Sequence, residues 1–464
     1  MIEEFEYEGI WWLPDKPKEQ VSGTLKFTPE EGATLELRGS FKNIKNINKM
    51  VNSEIILGVS SNGKKITLYK CSKNESRMYF PSFLSTSSCH VEIVFIGAHF
   101  QKPEDIKFKS ISVYYTHLDE WVGISMFNIQ HLPDGKTIII RYKQPDPIRA
   151  TINDWKIILD FKVTTRSILQ KANIEQRTYI RIEPSEEKSL DEYWNTIYHI
   201  RNFLTLGVAK PVYPLVIKGE TEVNKEMIDG TIYYPPVEVF YRVPDIPRLP
   251  ETLLPHYMLF TFGDISNRFE FFLRNWFNKV STLEPVYDLY FGTLYNPHMY
   301  IEHQFLSLTQ AVESFHRRTS KGKYLKDNEY KKVYDALVNA IPDGVRSDLK
   351  DRLKTYLKYG NEFSLRKRLE EIFDKYQEVL NKFIENRDAF IKKVVNTRNY
   401  QTHYDKALKK YSVSKEELPL VIEKLRILLQ ICLLTELGFS PEEIKALFAK
   451  NWRYRHEFVQ HRSQ

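Results

Sequence analysis

The chain of 464 residues is 42% hydrophobic, 14% aromatic and 27% charged, which allows several buried cores and excludes long disordered spans. Its 67 basic and 60 acidic residues leave a formal charge of +7, compatible with a nucleic-acid partner without demanding one. Cys71, Cys89 and Cys432 have no CxxC spacing, so neither a zinc site nor a disulfide framework is expected, and a Cys71–Cys89 bridge is left as the minor alternative.

Met1-Ile2-Glu3-Glu4-Phe5-Glu6 is acidic where a signal peptide is basic, and no apolar run follows it. The most apolar stretch, around Leu425 to Leu437, is broken by Arg426, Gln430 and Glu436 and falls short of the roughly 18–20 apolar residues of a membrane span. A cytoplasmic protein with no membrane partner is expected.

From Ile10 to about Tyr142 the pattern is one of strands and turns. Val21 to Phe27 and Ala33 to Gly39 alternate with period two, which sets one face on a core and the other in water. Asn62-Gly63 and Asp134-Gly135 supply the positive φ angles of tight hairpins. His90 to Ile96 and Ile111 to Tyr115 read as further strands, and a two-layer β-sandwich is the natural solution for so many half-apolar strands. Trp11, Trp12 and Trp121 are expected in its core.

Trp155 to Val163, Thr178 to Ile182, Val212 to Ile217 and Gly230 to Tyr241 look like strands of a second β-rich section. Between them, Leu190, Trp194, Ile197, Ile200 and Leu204 recur at helical spacing. The run Val243 to Pro250 is proline-dense and reads as a linker, because proline breaks both ladder and helix bonds. Beyond it the character is helical. Phe305, Leu308, Val312 and Phe315 form one stripe; Leu349, Leu353, Tyr356 and Leu357 another; Leu369, Ile372, Phe373, Tyr376 and Leu380 a third. Ser414-Lys415-Glu416-Glu417 and Ser440-Pro441-Glu442-Glu443 open two more helices, and Gly438 suits a C-cap. The expected fold is a multidomain α+β protein. Residues 1–142 form a β-sandwich, 143–250 a second β-rich section with one helix and the linker, and 251–464 an all-α bundle.

Candidate chemistry lies in Arg398-Asn399 and His403, at the end of a stripe carrying Phe390, Ile391, Val394 and Val395. An Arg followed by His after four to six residues also occurs as Arg455 and His461, without comparable context. Asn399 and His403 are i, i+4 and share a helix face, so the amide is placed to orient the imidazole. Arg398 and His403 are about 140° apart on a regular helix, so either the helix breaks here or a second copy supplies a group. Lys392, Lys393, Arg398, Lys406, Lys409 and Lys410 meet one acid, Asp405, with Tyr400, Tyr404 and Tyr411 interleaved. Such a surface suits phosphate contact and base stacking. The competing reading makes the lysines a solvated face and has Arg398 and His403 cap a buried helix end. His316, beside Arg317 and Arg318, reads as a solvated helix end, and Glu313 as a buried partner for a basic group.

The same residues carry a family resemblance. Arg398-Asn399 with His403, preceded by the helix Phe305 to Arg317, resembles the HEPN domain of the ApeA-like branch. Gly9-Ile10-Trp11-Trp12-Leu13-Pro14, Ser22-Gly23-Thr24-Leu25, Gly97-Ala98-His99-Phe100 and Leu118-Asp119-Glu120-Trp121 resemble, in order and spacing, the β-rich ApeA domain that accompanies it. The resemblance implies an antiviral, abortive-infection endoribonuclease that needs no metal or cofactor. It implies RNA as substrate, with tRNA one candidate, a homodimer or higher homo-oligomer, a phage-derived trigger, and a β section that either senses the phage or restrains the nuclease.

On that reading Arg398, Asn399 and His403 are catalytic, and Lys392, Lys393, Tyr404 and Lys406 bind RNA. Histidine gives and takes protons near neutral pH and arginine grips two phosphate oxygens; cleavage through the 2′-OH leaves 2′,3′-cyclic phosphate ends. The rival readings are a catalytically inactive HEPN scaffold that binds nucleic acid or protein, and a carbohydrate- or protein-binding sandwich whose helices only oligomerise it.

Overall fold

A computed structural model describes residues 3–41, 53–79, 84–244 and 252–455. The chain separates into two compact units, Met1–Arg274 and Asn275–Gln464. Most of the proline-dense run expected as a linker, residues 245–250, lies outside the described residues.

The first unit begins with six strands: β1 (Phe5–Trp12), β2 (Val21–Thr28), β3 (Gly32–Leu37), β4 (Ser53–Ser60), β5 (Lys65–Tyr79) and β6 (Leu84–Ile96). Their antiparallel order is β6-β3-β2-β1-β4-β5, and β5 pairs back onto β6. The ring is therefore closed. A sandwich was expected; closure instead leaves no free edge among these strands. Trp11, Leu25, Phe27, Leu35, Ile56, Leu68 and Val94 fill the interior. Trp11 lies opposite Gly58 in register, and a Cβ at Gly58 would sit 2.2 Å from Trp11 Cε3. The indole Nε1 donates to Gly23 O at 3.2 Å. Trp11 and Trp121 are buried as expected, and Trp12 is half-buried.

The sheet continues outward from β6. Next in the chain are β7 (Lys107–Phe108), β8 (Ser110–Tyr115), α1 (Leu118–Val122), β9 (Phe127–His131), β10 (Ile138–Tyr142), β11 (Ile148–Ile152), β12 (Trp155–Ile168), β13 (Lys171–Pro184) and β14 (Lys188–Ser189). They are followed by α2 (Leu190–Val208), β15 (Pro214–Glu220), β16 (Glu226–Ile228), β17 (Thr231–Tyr233), β18 (Val237–Tyr241) and α3 (Phe262–Ile265). The order β11-β12-β13-β8-β15-β18-β6 makes one sheet of strands from either side of residue 142, where the sequence reading placed a division. No local pattern reports such long-range pairing.

Asn62-Gly63 and Asp134-Gly135 do turn the β4–β5 and β9–β10 hairpins, with Gly63 and Gly135 at φ +81° and +66°. The helix α2 opens on a Ser189/Glu192 capping box and packs on β8, where Tyr115 Oη donates to Ile197 O at 3.3 Å.

The unit boundary falls inside α4 (Phe269–Tyr295). Then come α5 (Ile301–Thr319), α6 (Asp327–Asn339), α7 (Ser347–Tyr359), α8 (Leu365–Leu380), α9 (Arg387–His403), α10 (Lys406–Lys409), α11 (Leu418–Leu437) and α12 (Pro441–Lys450). A β-rich part followed by a helical part is the order expected. The helix α11 is buried almost all round and packs against α5, α8 and α12. Its buried Gln430 is satisfied, donating to Tyr290 Oη at 3.1 Å and accepting from Tyr454 Oη at 2.7 Å. The helices α6 and α7 are neighbours and neither contains a buried residue; Leu349 and Tyr356 of the stripe expected in α7 are exposed. Among the described residues no helix is long and apolar enough to cross a membrane.

Candidate active site

The helix α9 places a polar end on a buried shaft. Asn386 caps it, accepting the Ala389 N–H at 2.9 Å. Phe390, Ile391, Val394, Thr397 and Gln401 are buried where it packs against α5 and α8. Thr397 Oγ1 accepts the Val413 N–H at 3.0 Å, tying the segment after α10 back to the helix. The helix ends at Tyr404, φ +50°, whose N–H bonds to Tyr400 O at 2.6 Å. A tyrosine in this left-handed region stores strain on the order of 1 kcal/mol, so surrounding contacts hold the stop in place.

The three motif residues thus lie on one helical run, and the break falls after His403 rather than between Arg398 and His403. At about 100° per residue, α9 alone turns these two side chains apart by about 140°. The Arg398 side chain is 37% exposed. It donates through Nη1 to Asn399 Oδ1 at 3.1 Å, and Nη2 lies 3.8 Å from Glu313 Oε2. Asn399 therefore turns its carbonyl to the guanidinium and not to the imidazole. His403 is exposed and, among the described residues, has no hydrogen bond or ion pair.

Tyr404, 68% exposed, and Lys406, exposed at the start of α10, lie just past His403. Lys392 and Lys393 are exposed farther back on α9, ten or eleven residues before His403, a rise of about 15 Å. Lys393 Nζ is 3.0 Å from Glu417 Oε1. In the other Arg–His pair, Arg455 is the last described residue and His461 lies outside the described residues.

Behind Arg398 is a charged network that the sequence reading only half anticipated. Glu313, 21% exposed, pairs with Arg317 at 3.0 Å as well as with Arg398. Arg317 also reaches Glu362, which lies 3.8 Å from the buried Arg368. Arg368 Nη1 bonds to His316 Nδ1 at 3.1 Å, and His316 Nε2 meets Glu371 Oε2 at 2.9 Å. His316 is only 2% exposed, which corrects its reading as a solvated helix end. Its position four residues after Val312 puts it on the same buried stripe, and that spacing was the available signal. Burial, foremost, and Arg368 depress its pKa, while Glu371 opposes them.

A β-rich unit followed by a helical unit that carries Arg398, Asn399 and His403 on α9 is the arrangement expected of a HEPN-type protein with an accessory β domain. The family described as ApeA N-terminal domain 1 matches residues 6–276, and Apea-like HEPN matches residues 306–443. The chain belongs to the ApeA-like HEPN family. No curated protein and no solved structure matches it. HEPN domains are generally ribonucleases, which supports a nuclease-type defence function.

Proposed function

We propose that this protein is an antiphage endoribonuclease that cuts RNA, tRNA among the candidates, without a metal, using Arg398, Asn399 and His403. The observation that carries the reading is the exposed imidazole of His403, without hydrogen bond or ion pair among the described residues, on the same helix as the half-exposed guanidinium of Arg398. In the reaction the 2′-oxygen forms a bond to phosphorus as the bond from phosphorus to the 5′-oxygen breaks. A base takes the 2′-OH proton and an acid protonates the leaving oxygen, giving 2′,3′-cyclic phosphate and 5′-OH ends. Arg398 stabilises the charge on the phosphorane, and Asn399 holds the guanidinium fork. Lys392, Lys393, Tyr404 and Lys406 contact the strand around the scissile phosphate.

About 140° separates His403 from Arg398 on one helix. A homodimer whose two motifs face one another meets that constraint, setting an arginine of one copy beside the histidine of the other. The β unit then restrains the nuclease in the cytoplasm until a phage-derived trigger acts on it. The same separation, with Arg398 already engaged by Glu313, favours a second reading: a catalytically inactive scaffold that binds nucleic acid or protein. Incubating wild-type and His403→Ala chains with total RNA, with and without phage lysate, separates the two. Discrete fragments from wild type alone support the nuclease; none under any condition leaves the scaffold.

A further inference from the structure

The hairpin of β12 and β13 outruns the sheet it belongs to. Pairing with β11 ends at Leu159, and β8 meets β13 only at Ile180 to Ile182. The β12–β13 pairing itself continues to Ile168 and Lys171. Every residue from Thr164 to Asn173 is exposed, so the outer ribbon projects roughly 15 Å. A two-stranded ribbon with neither face on a core is marginal in water. This one carries two large aliphatic residues at its tip: Ile168 is 70% exposed and Leu169 fully exposed.

Turn chemistry sets this tip apart within the unit. Other hairpins turn on Asn62-Gly63, Asp134-Gly135 and Asp229-Gly230, with positive φ at each glycine. A polar residue followed by glycine is what a tight turn in water favours. The β12–β13 turn is Leu169-Gln170, and neither residue has a positive φ. Nothing in the backbone asks for leucine there, and water opposes it.

Charge selects the occupant. Thr164 to Asn173 holds Arg166 and Lys171 and no acid. Lys171 is opposite Ile168 in register, Arg166 lies two residues behind it, and Lys162 is farther back on the same face. Glu175, on that face too, is engaged by Arg177 at 2.5 Å. An aliphatic tip with a cation about 7 Å behind it matches the depth profile of a lipid surface. There, apolar side chains sit about 5–10 Å into the headgroup–acyl boundary and cations meet phosphates. Nucleic acid fits less well, because the ribbon from Val163 to Gln176 has no aromatic ring to stack on a base. A protein partner needs about 800 Å² and about 20 residues a side, and on the exposed ribbon only Ile168 and Leu169 are large and apolar.

We propose that the tip of the β12–β13 hairpin docks on an anionic phospholipid surface, with Ile168 and Leu169 in the acyl boundary and Arg166 and Lys171 on headgroup phosphates. The attachment is peripheral: among the described residues no helix is long and apolar enough to cross the bilayer. It does not depend on the nuclease reading.

The test sediments full-length protein with vesicles of phosphatidylglycerol and phosphatidylethanolamine, and with vesicles of phosphatidylcholine. Two double variants are compared, Ile168→Thr with Leu169→Asn, and Arg166→Gln with Lys171→Gln. All four positions are exposed, so thermal melts of both should match wild type. The expected result is binding to the anionic vesicles, about tenfold or more weaker on the neutral ones, and reduced about tenfold or more in each variant. Added salt should weaken it as well. Wild-type protein that stays in the supernatant with anionic vesicles overturns the proposal. So does binding that the aliphatic variant retains in full, which makes the contact one of charge alone. A short RNA is run as a second probe. RNA binding lost in the cation variant, with no binding to vesicles, assigns the ribbon to nucleic acid and overturns the lipid surface.

Discussion

Arg368 Nη1 lies 3.1 Å from Nδ1 of the buried His316, and this contact assigns the imidazole's proton. Arginine only donates, so Nδ1 accepts; Nε2 then carries the hydrogen and donates to Glu371 Oε2 at 2.9 Å. His316 is thus neutral in the folded protein, with a pKa depressed from its ordinary value of 6.5. The unfolded chain binds a proton there that the folded chain refuses. Its contribution to stability is complete above about pH 6.5 and is lost as the pH falls from there toward the folded value. Denaturant melts at about pH 7.5 and about pH 5.5 are expected to differ, with a slope from this group of at most about 1.4 kcal/mol per pH unit. His316→Gln is expected to flatten that dependence, and an unchanged slope in a folded variant counts against the assignment.

The Trp11–Gly58 contact gives a second expectation. A methyl at Gly58 meets the indole at 2.2 Å, and overpacking of this kind costs about 1–3 kcal/mol. Gly292, inside α4, has nothing within 4 Å of its added Cβ, and alanine there is expected to stabilise by about 0.5–1 kcal/mol. Thermal melts of Gly58→Ala and Gly292→Ala should therefore shift in opposite directions. A shift of the same sign in both would show that one of the two sites is packed differently.

The elements were legible where local pattern decides them. The stripes through Leu308, Leu369 and Leu425 became α5, α8 and α11, and Asn62-Gly63 became a hairpin. Ring closure was not legible, because β5 pairing back onto β6 has no signature in either strand. Likewise the strands after residue 142 join the earlier sheet through β13–β8 pairing, a contact between residues some seventy apart. At the site, α9 and its polar end were legible. The partner of Asn399 was not: helical spacing offered His403, whereas the side chain meets the adjacent Arg398 at 3.1 Å.

Because His403 is exposed and unpartnered among the described residues, His403→Ala should leave stability within about 0.5 kcal/mol of wild type while abolishing RNA cleavage. Arg398→Ala should lose cleavage as well, with a small stability change from its loose pair with Glu313. Losses on the order of 10²-fold or more in rate are expected for each. Full cleavage by a folded His403→Ala chain would remove histidine from the mechanism.

Product chemistry is expected to report the nucleophile. Cleavage should continue in EDTA and leave 2′,3′-cyclic phosphate with 5′-OH ends, read by end-specific ligation or mass spectrometry. Strict dependence on added Mg²⁺ or Mn²⁺, or 5′-phosphate products, would contradict attack by the 2′-OH.

The last prediction concerns the number of chains in one site. Arg398 and His403 share an unbroken helix, so about 140° separates them at any moment. Arg398 is further occupied by Asn399 and Glu313 on its own side. A two-fold pairing solves the geometry, because each phosphate then meets an arginine from one copy and a histidine from the other. Arg398→Ala and His403→Ala chains, each inactive alone, are mixed under conditions that exchange subunits. In the mixed dimer one of the two composite sites keeps both wild-type residues, while the other has lost both. Recovery of cleavage at a rate proportional to the mixed-dimer fraction is the expected result. The control is a dilution series of wild-type protein, in which activity per chain should fall as the dimer dissociates. A monomer that cleaves RNA at the full rate removes the shared site altogether.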